Sequence, residues 1–167
     1  KDKQTDISLK VIADHARSLT FMIGDGILPS NEGRGYILRR ILRRAIRHGR
    51  LLGIKDTFLV GAADVVIGMY GEHYTDLVEK ASYIKKVIAM EESRFMATLE
   101  QGTELLNTAI ADLKAKGQST LSGAEAFRLY DTFGFPWELT EEILAEQGLT
   151  MDKAGFDKAM EEQRERA

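Results

Sequence analysis

The sequence predicts an all-α fold, a multi-helix domain with one long helix that has a candidate bend and with no substantial sheet. Three observations carry this. Apolar residues recur at three- and four-residue intervals in one segment after another, as helices with one buried face require. Only two prolines occur in 167 residues, so long helices are allowed almost anywhere. No stretch alternates apolar and polar residues for long enough to make a strand.

The first helix is read from about Asp6 to Ile23, where Ile7, Val11, Ile12, Ala16, Leu19 and Ile23 recur at helical spacing before Gly24 and Gly26. The segment GDGILPSNEG (24 to 33) is a loop whose Ser30 and Asn31 are cap-forming residues. A second helix runs from Gly33 or Arg34 to Leu52, with Gly53 as its C-terminal cap. A third, Thr57 to Tyr70, is apolar and reads as buried. A polar turn at 71–75, a candidate subdivision of the 1–167 domain, leads into a helical run from Asp76 to about Lys116. Its stripe is Leu77, Ala81, Ile84, Ile88, Phe95, Leu99, Leu106, Ile110 and Leu113, near a 3.5-residue period, and Gly102 marks the candidate bend. Ser122 and Glu125 form a capping-box signal for a short helix to Leu129 or Tyr130. The junction YDTFGFP (130 to 136) follows, with Pro136 suited to the first turn of a helix ending before Gly148, and Asp152 caps a last helix.

Composition excludes several classes. With 44% apolar and 29% charged residues the chain is that of a water-soluble globular protein. Zero cysteines leave no disulfide framework, thiolate nucleophile or cysteine-based zinc site, in keeping with a reducing compartment. No apolar run approaches a membrane span, and KDKQTDISLK carries no signal-peptide stretch. Its first residue is lysine, as in a piece of a longer protein.

The net charge of −3 hides an asymmetry. Arg34, Arg39, Arg40, Arg43, Arg44, Arg47 and Arg50 fall within 17 residues that hold no acid. From Leu121 to Ala167 there are 11 acidic against 5 basic residues. On a helical wheel the arginines oppose Ile37, Leu38, Ile41, Leu42, Ala45 and Ile46. The plain alternative is a solvated face paired with acids from elsewhere. With no acid inside the helix to form i,i+4 pairs, contact with nucleic acid or polyphosphate is the stronger reading. A membrane surface is disfavoured, since the apolar face has no aromatic anchors and the rest of the chain is acidic.

Catalytic patterns are missing from the sequence: no H-E-x-x-H, no P-loop, and Gly33 and Gly35 only imitate a dinucleotide fingerprint. His15, His48 and His73 share no ligand spacing, so no metal is expected. Asp14–His15 and Glu91–Glu92 resemble acid–base pairs but read as solvated-face residues. Asn31 reads first as a helix cap and Asp131 as a cap of the turn at Gly134, while Tyr130, Phe133, Phe135 and Trp137 pack.

At VIADHARSLTFMIGDGILPSNEGRGYILRRILRRAIRHGRLLG (11 to 53), AFRLYDTFGFPWELT (126 to 140) and GFDKAMEEQRERA (155 to 167) the chain closely resembles alanyl-tRNA synthetases. The resemblance covers nearly everything from about Thr5 onward, and is to the helical tRNA-recognition region that follows the class II catalytic domain. It implies a cytoplasmic alanine–tRNA ligase whose catalytic and editing domains lie elsewhere, so that ATP with magnesium, and zinc, serve the parent enzyme and no cofactor serves this chain. It implies one nucleic-acid partner, the acceptor stem of tRNA(Ala), with no DNA and no membrane. In that family the asparagine of the SNE loop and the aspartate of YDT read the G·U wobble pair, which places those roles on Asn31 and Asp131. The chemistry suits them: the shallow minor groove of A-form RNA is the accessible one, a carboxylate accepts the free guanine amino group, and an amide both donates and accepts. Arg34, Arg39, Arg40, Arg43, Arg44, Arg47 and Arg50 then meet phosphates, some of them instead holding the acidic C-terminal helices. The rival readings are a generic helical RNA-binding module and a scaffold dimerising through the 76–116 stripe.

Overall fold

The structure, a computed structural model, describes residues 2–167. Those residues form eight helices and one two-stranded ladder, so the fold is all-α as predicted. The chain divides into two compact units, Lys1–Met96 and Ala97–Ala167, and the 71–75 turn lies inside the first.

In the first unit α1 (Lys3–Gly24) starts earlier than its apolar pattern, because the Asp2 side chain accepts from the Gln4 amide and supplies an N-cap. α1 packs on α2 (Gly33–Leu51) and α3 (Leu59–Tyr70), burying Leu19, Ile23, Leu38, Leu42, Ala45 and Ile46. α3 departs from the expectation of a buried helix. Only Leu59, Ala63 and Val66 are buried, while Val65 and Met69 stand 62% and 68% exposed.

The predicted 76–116 helix is broken near its start, not at Gly102. α4 (Thr75–Glu79) ends at Lys80, and α5 (Ala81–Ala115) continues for 35 residues. Two contacts explain the break. Leu77 lodges against Gly24, where a Cβ would lie 3.1 Å from its Cδ2, and Lys80 Nζ donates to the Gly24 carbonyl at 2.9 Å. Holding the last turn of α1 in this way requires the chain to turn before α5 begins.

Ile84, Ile88, Phe95, Leu99, Leu106, Ile110 and Leu113 of α5 are all buried within this one chain. Glu91, Glu92 and Gly102 fill the gaps of that stripe, so the buried positions follow the 3.6-residue helical period and not a 3.5-residue seam. The stripe that suggested dimerisation is thus already covered.

In the second unit α6 (Gly123–Phe133) packs on α8 (Lys153–Arg166) and on α7 (Trp137–Glu146), and α5 meets the end of α6 where Thr98 Oγ1 donates to the Phe133 carbonyl at 2.7 Å. β1 (Thr120–Leu121) pairs in parallel with β2 (Thr150–Met151), Thr120 opposite Thr150 and Leu121 opposite Met151. This ladder is too short for any alternation to announce it. Its consequence is that α6 and α8 leave it side by side. They cross where Gly123 meets the Gly155–Phe156 backbone, an approach that no Cβ at position 123 permits. Gly102 serves the same end in α5: a Cβ there would stand 2.5 Å from the ring of Phe135, a fully buried side chain. Phe127, Tyr130 and Phe156 complete an aromatic cluster, Tyr130 meeting Phe156 edge-on at 5.7 Å.

Candidate nucleic-acid interface

The loop before α2 is held by α2 itself. Gly35 is buried because a side chain there would collide with Ser30 and the Leu28 carbonyl. Ser30 Oγ donates to the Glu32 carbonyl at 2.9 Å, and Gly33 takes a positive φ of 60° at the helix entry. The N-cap position falls to Glu32, which makes no side-chain cap bond. Asn31 is therefore not the cap that its residue type suggested. Its Oδ1 accepts from Arg39 Nη1 at 2.7 Å, and the residue is exposed.

Arg39 continues inward, its Nε donating to Glu91 Oε1 at 2.8 Å. Arg43 donates to the same oxygen through Nε at 3.2 Å and Nη2 at 2.8 Å, and lies 5.1 Å from the centre of the Phe95 ring. Side-chain exposures of 8% for Arg43 and 5% for Glu91 make this a buried pair. Burial weakens the hold of Arg43 on its proton, Glu91 opposes that, and the charges of Arg39 and Arg94 act with burial. Two guanidiniums on one carboxylate leave a net positive charge beside Asn31.

The reading of Glu91 and Glu92 as solvated is thus corrected. Glu91 is buried because α2 directs two arginines at it. Glu92 is buried because it caps α3: its carboxylate accepts the Phe58 amide at 2.9 Å and the Leu59 amide at 3.3 Å. Burial pushes the Glu92 carboxyl up, and those two amides pull the other way. Phe58 reaches that point by lying over Gly49 of α2, where its ring occupies the space of a Cβ.

The arginine face of α2 is only partly open. Arg43 is buried, Arg39, Arg40, Arg44, Arg47 and Arg50 are half-buried, and Arg34 in the first turn is exposed. The acid that meets Arg39 and Arg43 comes from α5, where the sequence had suggested the acidic C-terminal helices. Arg44 Nη1 lies 3.0 Å from His15 Nε2. Arginine only donates, so that nitrogen accepts and the imidazole proton sits on Nδ1, 3.6 Å from Asp14 Oδ2. Burial, then the Arg44 charge, push the His15 imidazole below its ordinary value. His15 is 14% exposed and so is not a solvated-face residue either. Farther along α2, buried His48 shares a 3.0 Å hydrogen bond with buried Ser8 of α1.

Asp131 belongs to the second unit and sits in the last turn of α6, not in a loop after it. Gly134, at φ 71°, closes that helix: its amide donates to the Tyr130 carbonyl and the Phe135 amide to that of Leu129. Asp131 therefore does not cap the turn. Its exposed carboxylate stands at the negative end of the helix dipole, where charge of its sign is unfavourable. One partner supports it, Gln163 of α8, whose Nε2 donates to Oδ1 at 2.7 Å. Gln163 lies eight residues beyond Gly155, as Asp131 lies eight beyond Gly123, so the glycine crossing sets this contact.

The family model for class II (A) tRNA synthetases matches residues 1–167. The chain belongs to that family. It is 56% identical over all 167 residues to the alanine–tRNA ligase of Alkaliphilus oremlandii (strain OhILAs). The alanine–tRNA ligases of Thermoanaerobacter sp. (strain X514) and Natranaerobius thermophilus are 55% and 53% identical over the same span. In each case the whole chain is covered and 19% of the relative's length.

Glu91, which holds Arg39, and Gln163, which holds Asp131, are the contacts that the sequence reading missed. A signal for Glu91 existed, since it falls in the gap of the α5 stripe and seven arginines need a partner. No local pattern marks Gln163. The buried acids Glu91 and Glu92 are taken up by arginines and by backbone amides. Among the described residues no group of three or more metal-binding side chains comes together, and no helix is long and apolar enough to cross a membrane.

Proposed function

We propose that this chain is the tRNA-recognising part of an alanine–tRNA ligase, binding the acceptor stem of tRNA(Ala) and reading its G·U wobble pair. The whole enzyme then attaches alanine to that tRNA in the cytoplasm, using ATP with magnesium at a catalytic domain and zinc at an editing domain outside these residues. The observation that carries the reading is that neither Asn31 nor Asp131 does the capping work that would explain it locally. Both are exposed polar groups, each oriented by one side chain, and Asp131 is held where the helix dipole disfavours it. Asp131 offers an acceptor suited to the guanine amino group in the minor groove, and the Asn31 amide suits the donor and acceptor edges of a wobble pair. Arg34 and the half-buried arginines of α2 supply the phosphate attraction.

The test is fluorescence-anisotropy binding of the 167-residue chain to acceptor-stem duplexes differing only in G·U or G·C at the third pair, across a salt series. Tighter G·U binding that Asn31→Ala or Asp131→Ala abolishes supports the reading. Equal, salt-sensitive binding of both duplexes makes the chain a generic RNA-binding module.

A further inference from the structure

We infer that Arg39 is a positioning residue that presets Asn31 as a hydrogen-bond donor toward its ligand. This rests on the proposed role of Asn31, but the orientation itself follows from chemistry. A guanidinium has five N–H donors and no acceptor, so the Asn31 atom 2.7 Å from Arg39 Nη1 is the carbonyl oxygen. The amide NH2 is then the end directed away from Arg39. Arg39 is held in turn by Nε on Glu91, itself buried and locked by Arg43. The line Glu91–Arg39–Asn31 thus runs from a rigid ion pair inside the unit to an exposed amide, and the loop carrying that amide is pinned at Ser30 and Gly35.

An isolated exposed asparagine turns about χ2 and offers either end. One fixed in this way favours ligands that present an acceptor where the NH2 points, a pyrimidine O2, a purine N3 or a 2′-hydroxyl in an RNA minor groove. Lysine at position 39 keeps the charge but cannot reach both Glu91 and Asn31 with one planar fork.

Two readouts on the 167-residue chain test this and separate it from the wobble reading. The first needs no RNA: nitrogen-15 relaxation of the Asn31 side-chain amide. An ordered NH2 in the wild type that becomes mobile in Arg39→Lys, with the far-UV CD unchanged, is the expected result. A mobile NH2 in the wild type, or one that Arg39→Lys leaves ordered, overturns the inference. The second is a double-mutant cycle on the G·U to G·C affinity ratio. Arg39→Lys is expected to lower that ratio several-fold when Asn31 is present and to leave it unchanged in Asn31→Ala. An equal fall in both backgrounds makes Arg39 a direct contact and overturns the positioning role. A wild type with no G·U preference but an Arg39-ordered amide refutes the wobble reading alone and supports the positioning.

Discussion

Replacing Glu91 with alanine removes the ion-pair partner it gives to a guanidinium that is almost wholly enclosed. Arg43 keeps 8% side-chain exposure, and three hydrogen bonds from Arg39 and Arg43 converge on the lost oxygen Oε1. Breaking a buried pair from one side costs about 3–5 kcal/mol, against the roughly 0–1 kcal/mol of an exposed pair. That is a large part of a domain stability of about 5–15 kcal/mol. With a urea slope near 2 kcal/mol/M, the unfolding midpoint followed by far-UV CD falls by roughly 2 M. The double replacement Arg43→Met with Glu91→Leu, which removes both charges and refills the space beside Phe95, recovers most of the loss. A Glu91→Ala loss below about 1 kcal/mol would refute the reasoning, since the pair would then behave as a surface one. So would a double variant as unstable as the single one.

Three further outcomes follow from the same geometry. Gly102→Ala drives a Cβ to within 2.5 Å of the Phe135 ring and costs about 1–3 kcal/mol by overpacking, seen as a lower melting temperature. Asp131→Asn relieves an unfavourable charge at the C-terminal end of α6, so thermal stability holds or rises by about 0.3–1 kcal/mol. The same variant loses about 1–3 kcal/mol of G·U discrimination, and an equal loss for both duplexes would remove Asp131 from the readout. The third concerns pH. The folded state holds the His15 imidazole below its ordinary value of about 6.5, so the unfolded chain binds the proton more readily. That stability is fully present above about pH 6.5 and is lost as pH falls from there toward the lowered folded value. Melting curves between pH 7.5 and 5 check this, and His15→Gln, which still accepts from Arg44, should flatten that part of the profile.

The helices were legible because their apolar periodicity is strong and their punctuation is explicit. Ser122 and Asp152 cap as read, accepting the Glu125 and Gly155 amides, and Gly53 and Gly134 take positive φ behind α2 and α6. The break at Lys80 was hidden because its cause, Leu77 and Lys80 on the end of α1, is tertiary and leaves no local breaker. For the same reason the apolar composition of α3 did not tell which of its faces is covered. Charge was the hardest property to place. A helical wheel sorts arginines onto one face but does not say what faces them, and Glu91 approaches from 48 residues away. For Asn31 and Asp131 the sequence named the residues but did not show what surrounds either of them. That neither caps a helix end, and that Arg39 and Gln163 orient them, depends on two glycine-permitted contacts, Gly35 under its loop and Gly123 against Gly155.

The wobble reading meets its most direct test at a single functional group. Inosine in place of guanine in the G·U pair removes the 2-amino group and leaves the rest of the pair in shape. If Asp131 accepts that amino group, the inosine duplex binds the wild-type chain as weakly as the G·C duplex does, and Asp131→Ala binds the inosine and guanine wobble duplexes alike. Undiminished binding of the inosine duplex by the wild type would contradict the account.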